Sequence, residues 1–258
     1  MRKISALMIL LVVIAAVVGC SKAKTAVGAD ATAPGAGRKI ILRFKPLPAY
    51  SCTYLCRSEM RFGPMGDLAD QMGNEETAKK FREGSSSTTD EEVSYRVGNI
   101  TDGRIEIWIK SKVVGASGSG LFSGNENSMF HQDRERQRFY NDRYVRQEVD
   151  GLPSPIDDTI ITFPEEEITV GVPFKVKEEF FGTKFMQEYV AESIETQNGR
   201  EIVKLVLRVR NEDGSIIGIS KSCWYELDTG ILVRSESALD FNPSSPKESG
   251  MWSTVTRR

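Results

Sequence analysis

Apolar and polar side chains alternate with a period of two over much of the chain, which is the signature of strands with one dry and one wet face. The pattern is cleanest from Ile202 to Arg210. There Val203, Leu205, Leu207 and Val209 alternate with Lys204, Arg208 and others, and Val206 is the one apolar residue on the outer side. Ile105, Ile107 and Ile109 alternate in the same way with Glu106, Trp108 and Lys110. Ile217, Ile219, Cys223, Tyr225 and Leu227 share a face of a later run, and Ile231, Val233, Leu239 and Phe241 share a face of the run after it. Between these segments stand Asp102-Gly103, Asn198-Gly199, Asp213-Gly214 and Thr229-Gly230. Asn-Gly and Asp-Gly tolerate the positive φ that tight hairpins require. Successive hairpins make neighbouring strands antiparallel, and polar outer positions leave one face in water. The pattern therefore predicts a mainly β fold, a large curved antiparallel meander sheet or an incomplete barrel. Residues 38–258 are long enough to form it as a single β-rich domain.

Two stretches interrupt the alternation. Gly63 to Ser87 is polar and ends in a Ser/Thr tract; its Leu68, Met72 and Phe81 support a short helix over about residues 67–82. Gly115 to His131 is rich in Gly, Ser and Asn and reads as a long loop.

The first twenty residues follow a different logic. Arg2 and Lys3 precede Ile4 to Val18, a run of Ile, Leu, Val, Met and Ala in which Ser5 is the only polar side chain. The run has about 15 residues, short of the ~20 that a membrane-spanning helix needs, so it reads as a signal peptide over 1–19. It ends in Val17-Val18-Gly19-Cys20, which resembles the lipobox of bacterial lipoproteins. That resemblance implies cleavage before Cys20, a diacylglycerol thioether on its sulfur and acylation of its new amine. One acyl chain binds a membrane marginally, at ~0.8 kcal/mol per buried methylene, whereas two or three hold firmly. No other cofactor is expected. Ser21 is unlike the Asp of an inner-membrane retention signal in enteric-type sorting, so the resemblance points to the outer membrane, facing the periplasm. Residues 20–37 then form the lipidated cysteine and a tether of Ala, Gly, Thr and Ser, spanning roughly 23 Å root-mean-square.

Charge alters this picture little. The chain carries −2, and loss of Arg2 and Lys3 with the signal makes that −4, so neither nucleic acid nor an anionic bilayer surface is suggested as a partner.

Candidate chemistry is sparse. An exported chain meets an oxidising compartment, and Cys52, Cys56 and Cys223 remain beside Cys20. In one strand Cys52 and Cys56 lie about 13 Å apart, too far for a disulfide. That leaves a bridge from Cys223 to Cys52 or Cys56, or three small buried thiols. The C-x-x-x-C spacing without a nearby histidine argues against a metal or redox site. Asp228-Thr229-Gly230 resembles the D-T-G of aspartic proteases, but it occurs once and sits where a hairpin turn explains it. His131 is the only histidine, in a Gly/Ser/Asn-rich loop with no nucleophile motif, so no catalytic or metal residue is assigned. Arg134, Arg136, Arg138, Arg143 and Arg146 alternate with Asp133, Glu135, Asp142 and Glu148 around Tyr140 and Tyr144; mixed signs read as a solvated edge. Trp108 and Trp224 lie opposite the main apolar faces of their strands, where they either pack or line a ligand groove.

From Leu152-Pro153 through Phe163-Pro164 to Ile168-Thr169-Val170-Gly171-Val172-Pro173-Phe174, the chain resembles a pattern found in bacterial lipoproteins of uncharacterised function. Those carry an F-P…V-G-D-x-W turn, and this chain has Val172 and Phe174 where they have Asp and Trp. The likeness extends over about residues 40–62 and 90–241. The layout is also loosely similar to the half-barrels of lipoprotein carriers and receptors, which lends function by analogy alone. Two non-enzymatic expectations follow. In the first, a membrane-anchored envelope lipoprotein binds a lipid, an acylated protein or another apolar ligand in its curved sheet, with residues 63–87 as a lid. In the second, the sheet has a solid core and serves as a protein-interaction or structural module. A hydrolase is the least supported.

Overall fold

The alternating segments pair as strands. The computed structural model describes residues 33–64, 75–122, 134–147, 160–180, 183–208, 219–240 and 249–258. In chain order the elements are β1 (Lys39–Ile40), β2 (Ser51–Phe62), α1 (Glu75–Glu83), β3 (Ser85–Thr101), β4 (Arg104–Ser119), β5 (Arg134–Tyr140), β6 (Ile168–Thr169), β7 (Pro173–Phe180), β8 (Thr183–Gln197), β9 (Arg200–Arg208), β10 (Ile219–Glu226), β11 (Leu232–Asp240) and β12 (Gly250–Arg257). Ten of the strands make one antiparallel sheet in the order β5-β4-β3-β2-β12-β11-β10-β9-β8-β7, and β1 pairs with β6 separately. Two meanders are thus joined where the last strand lies against β2. Its register sets Val255 opposite Cys56.

Two hairpins have the turns that their residues demand. Asp102 and Gly103 take φ of 48° and 76°, and Asn198 and Gly199 take 50° and 76°, the paired positive values of a type I′ turn.

β5 and β7 are the two outer strands of the sheet, which is not closed into a barrel. It is nonetheless strongly bent. β5 and β10 are six strand spacings apart, about 29 Å if the sheet were flat. Yet the ring of Tyr144 lies 5.8 Å from Tyr140 of β5 and 6.2 Å from Tyr225 of β10. One side chain touches both only if the sheet wraps around it.

The hollow of this bend is filled by non-sheet chain. Phe44 N–H donates to the Asp142 carbonyl (2.6 Å), Phe163 N–H to the Arg143 carbonyl (2.8 Å) and Ile161 N–H to the Tyr225 hydroxyl (2.9 Å). Two arginines stitch the crossing segments together. Arg43 donates to the carbonyls of Pro164 (2.9 Å) and Glu165 (2.6 Å), while Arg143 donates to the Phe163 carbonyl (3.0 Å) and the Glu165 carboxylate. Phe44 stacks on Tyr144 at 3.8 Å, and Phe163 meets Tyr144 and Tyr225 edge-on at 5.2 and 5.0 Å. Ile40, Leu42, Ile161, Val203 and Leu205 complete one hydrophobic cluster with these rings. Tyr144 sits there with φ of 58°. The Asn141 side chain holds that turn by accepting from the N–H groups of Arg143 (2.9 Å) and Val145 (3.0 Å).

Several expectations are corrected. Tyr140 and Tyr144 are core residues, 2% and 4% exposed, and do not belong to a solvated edge. Residues 85–87 and 115–119 are not loop: they pair, Ser86 with Ser119 and Asp90 with Gly115, as the extended ends of β3 and β4. Backbone hydrogen bonding and a Ser86–Ser119 hydroxyl contact at 2.9 Å carry a ladder that has no apolar alternation to announce it. The helix expected over 67–82 is seen as α1 at 75–83; residues 65–74 and 123–133, including His131, lie outside the described residues, as does the region through Cys20. Among the described residues no helix is long and apolar enough to cross a membrane.

Candidate functional site

The most conspicuous polar arrangement lies at the end of β10. Glu226 is 1% exposed and takes three hydrogen bonds on its carboxylate: from Arg257 Nη2 of β12 (2.5 Å), Arg200 Nη1 of β9 (2.6 Å) and the Thr229 hydroxyl (2.7 Å). The local sequence explains the Thr229 contact. Asp228-Thr229-Gly230 makes the turn between β10 and β11, with Gly230 at φ 65° and its N–H on the Glu226 carbonyl (2.8 Å). A Cβ at Gly230 would stand 2.3 Å from the Arg43 carbonyl oxygen, so the turn can pass the crossing segment only as glycine. The D-T-G triplet is therefore a hairpin turn that clamps a neighbouring carboxylate.

Burial alone would raise the pKa of Glu226. The hydrogen bonds from Thr229, Arg257 and Arg200 outweigh it and hold the carboxyl below its ordinary value. Arg257 also donates through Nη1 to the Tyr50 hydroxyl (3.2 Å), whose pKa is pushed up to about 12, chiefly by burial. Arg200 stays 58% exposed and reaches Glu226 through one nitrogen, whereas Arg257 is only 18% exposed.

These groups border a cleft of about 250 Å³, lined also by Leu47, Glu201, Asp228 and Ile231. Glu201 is neutralised by Arg38, which grips both of its oxygens. Leu47 is 68% exposed on a tight turn in which Tyr50 N–H donates to the Leu47 carbonyl and Ala49 takes φ 58°.

The residues singled out in the sequence lie elsewhere. Cys52, Cys56 and Cys223 are free thiols. The register Cys56–Val255–Ser235–Cys223 separates the last two cysteines by three strand spacings, about 14 Å along the sheet. The expected bridge from Cys223 to Cys56 is thus ruled out, and Cys52, further along β2, is no better placed. The Cys223 sulfur instead meets the Ser235 hydroxyl at 3.4 Å. Trp108 and Trp224 are on the convex face, away from the cleft and the packed hollow. Trp224 lies between Lys204 (5.5 Å) and Arg234 (5.2 Å), and Trp252 lies under Arg61 (5.7 Å), contacts of cation–π type. A shallow groove of about 340 Å³ on that face runs past Leu55, Arg57, Asp90 and Thr254. Among the described residues no three His, Cys, Asp or Glu side chains are grouped to hold a metal.

Glu226, Arg200 and Arg257 carry no mark in the sequence. They are 26 and 31 positions apart and meet because β9, β10, β11 and β12 lie side by side. Searched against models of known protein families, the chain matches none, and no curated protein matches it significantly.

Proposed function

We propose that this chain is a non-enzymatic lipoprotein of the cell envelope, held to a membrane by lipid on Cys20, whose β domain is a solid-cored module for contact with other envelope proteins. The packing of the bend carries the second half of this reading. A lipid carrier needs an apolar hollow of several hundred Å³, and here Phe44, Tyr140, Tyr144, Phe163 and Tyr225 occupy that place with ring centroids 3.8–6.5 Å apart. The anchor rests on the lipobox-like Val17-Val18-Gly19-Cys20 after its apolar run. Ser21 favours the outer membrane, facing the periplasm.

Carriage of a lipid or other apolar ligand keeps one supporting observation. Beyond the packed half, Met60, Met251 and Leu239 face one another across β2, β12 and β11, with Met251 38% exposed. Native mass spectrometry of protein purified from membranes separates the two readings. The module reading expects a chain beginning at Cys20 with covalent acyl groups and no further lipid. A stoichiometric non-covalent lipid overturns it in favour of carriage. Cys20→Ser should release the protein from the membrane fraction; retention there would remove the anchor.

A further inference from the structure

The cleft beside Glu226 has an uneven distribution of charge. Its lining residues and their ion-pair partners comprise three cations, Arg38, Arg200 and Arg257, and three anions, Glu201, Glu226 and Asp228, which sum to zero. Arg38 and Glu201 cancel as a closed pair. Two guanidiniums share Glu226, one more than its charge requires, and the exposed Arg200 holds the excess along with its uncommitted N–H donors. Asp228 lines the same cleft from the β10–β11 turn, is exposed, and makes no ion pair among the described residues. A surplus cation and a surplus anion therefore border one small space. Between them the lining is apolar: Leu47, Tyr50 and Ile231. About 250 Å³ is below the 300–1,000 Å³ of drug-sized sites, so the ligand is small.

We propose that this cleft binds a small zwitterion, its anionic group on Arg200, its cationic group on Asp228 and its apolar part against Leu47, Tyr50 and Ile231. Arginine suits the anionic end because its planar fork can give two parallel hydrogen bonds to a carboxylate or phosphate. Two sources offer this chemistry: a free amino acid with an apolar side chain, and a zwitterionic phospholipid headgroup. The cleft lies at the margin of the packed hollow, with Ile231 common to both, and its occupancy is independent of whether the domain carries lipid or engages protein.

Calorimetric titration of the full chain in detergent with L-leucine and with glycerophosphoethanolamine tests the proposal. At least one should bind with a Kd of about 1 mM or tighter, on the order of −4 kcal/mol. Leucine alone assigns the amino acid, glycerophosphoethanolamine alone the headgroup, and both together a site that reads only the charges. N-acetyl-leucine amide, which has neither charge, should not bind. Arg200→Gln and Asp228→Asn should each weaken binding tenfold or more. Asp228→Asn alters an exposed, unpaired side chain and leaves the fold intact, so it stays informative if Arg200→Gln loses stability. No binding of either zwitterion at about 10 mM, or unchanged affinity in Asp228→Asn, would overturn the proposal.

Discussion

Replacing Glu226 with alanine would leave Arg257 and Arg200 turned toward one another without a counter-charge, and Thr229 without its acceptor. Breaking a buried pair in this way costs about 3–5 kcal/mol. Because Arg200 is 58% exposed and can turn to water, Glu226→Ala should lose about 3 kcal/mol, read from urea unfolding at pH 7. The pH dependence has a definite sign. The folded pKa of Glu226 lies below its ordinary value of 4.5, so its contribution is complete above that value and fades as pH falls through the folded pKa. The stability gap between the natural chain and Glu226→Gln should be full at pH 7 and shrink below pH 4.5; a gap that grows in acid would contradict the clamp. The thiols make a second residue-scale prediction. Burial, and secondarily Glu91, push Cys56 up to about 12, and burial raises Cys52, so both stay protonated and slow to react. Mass spectrometry after iodoacetamide should find Cys52, Cys56 and Cys223 modified only once the protein is unfolded, and no disulfide among them.

At the scale of elements, the segment from Ile40 to Phe44 matters more than its brief pairing as β1 suggests. It crosses the hollow, where Leu42 and Phe44 are fully buried while Ile41 is 54% exposed on its outer side. Phe44→Ala should cost about 3–5 kcal/mol in denaturant unfolding, since it removes a ring stacked on Tyr144 and leaves a cavity. Ile41→Ala should stay within about 0.5 kcal/mol. Similar losses for both would mean that the segment is not docked as described. The alternation of Leu42 and Phe44 announces a strand, but nothing local says that it lies across a sheet made by residues far along the chain. The hairpins at Asp102-Gly103 and Asn198-Gly199 were legible because their turn chemistry is local. So was the buried face of Val203, Leu205 and Leu207. The distal ends of β3 and β4 were not, because Ser, Thr and Gly pair there through backbone and hydroxyl groups without an apolar period. The Glu226 clamp was hidden for another reason: it depends on which strands become neighbours, a property of the whole sheet.

For the whole molecule, the two outer strands raise the question of how an open ten-stranded sheet avoids adding further copies of itself. The convex face carries much of its charge in ion pairs: Arg57 with Asp90, Arg61 with Glu59, Lys204 with Glu192, Arg234 with Glu236 and Arg258 with Glu92. The edges are the weak point, since an outer strand presents backbone N–H and C=O groups to any passing strand, although the Phe139–Tyr140 end of β5 is already met by residues 146–147. Both outer strands carry charged residues in their sequence, among them Glu135 and Arg136 on β5 and Lys175 and Lys177 on β7. Lysine on edge strands is a recurrent guard against that pairing, because an incoming strand has to desolvate it. Lys175→Val together with Lys177→Val turns the first half of β7 into Pro-Phe-Val-Val-Val, apolar and β-prone. Light scattering during gel filtration should show the double variant associating as concentration rises while the natural chain stays at its original mass. The control is Lys110→Val on β4, already hydrogen-bonded to β3 on one side and β5 on the other. It adds one apolar residue to the surface without an open edge, so it should not associate. If it associated as readily as the β7 variant, exposed apolar area and not the edge would be the cause.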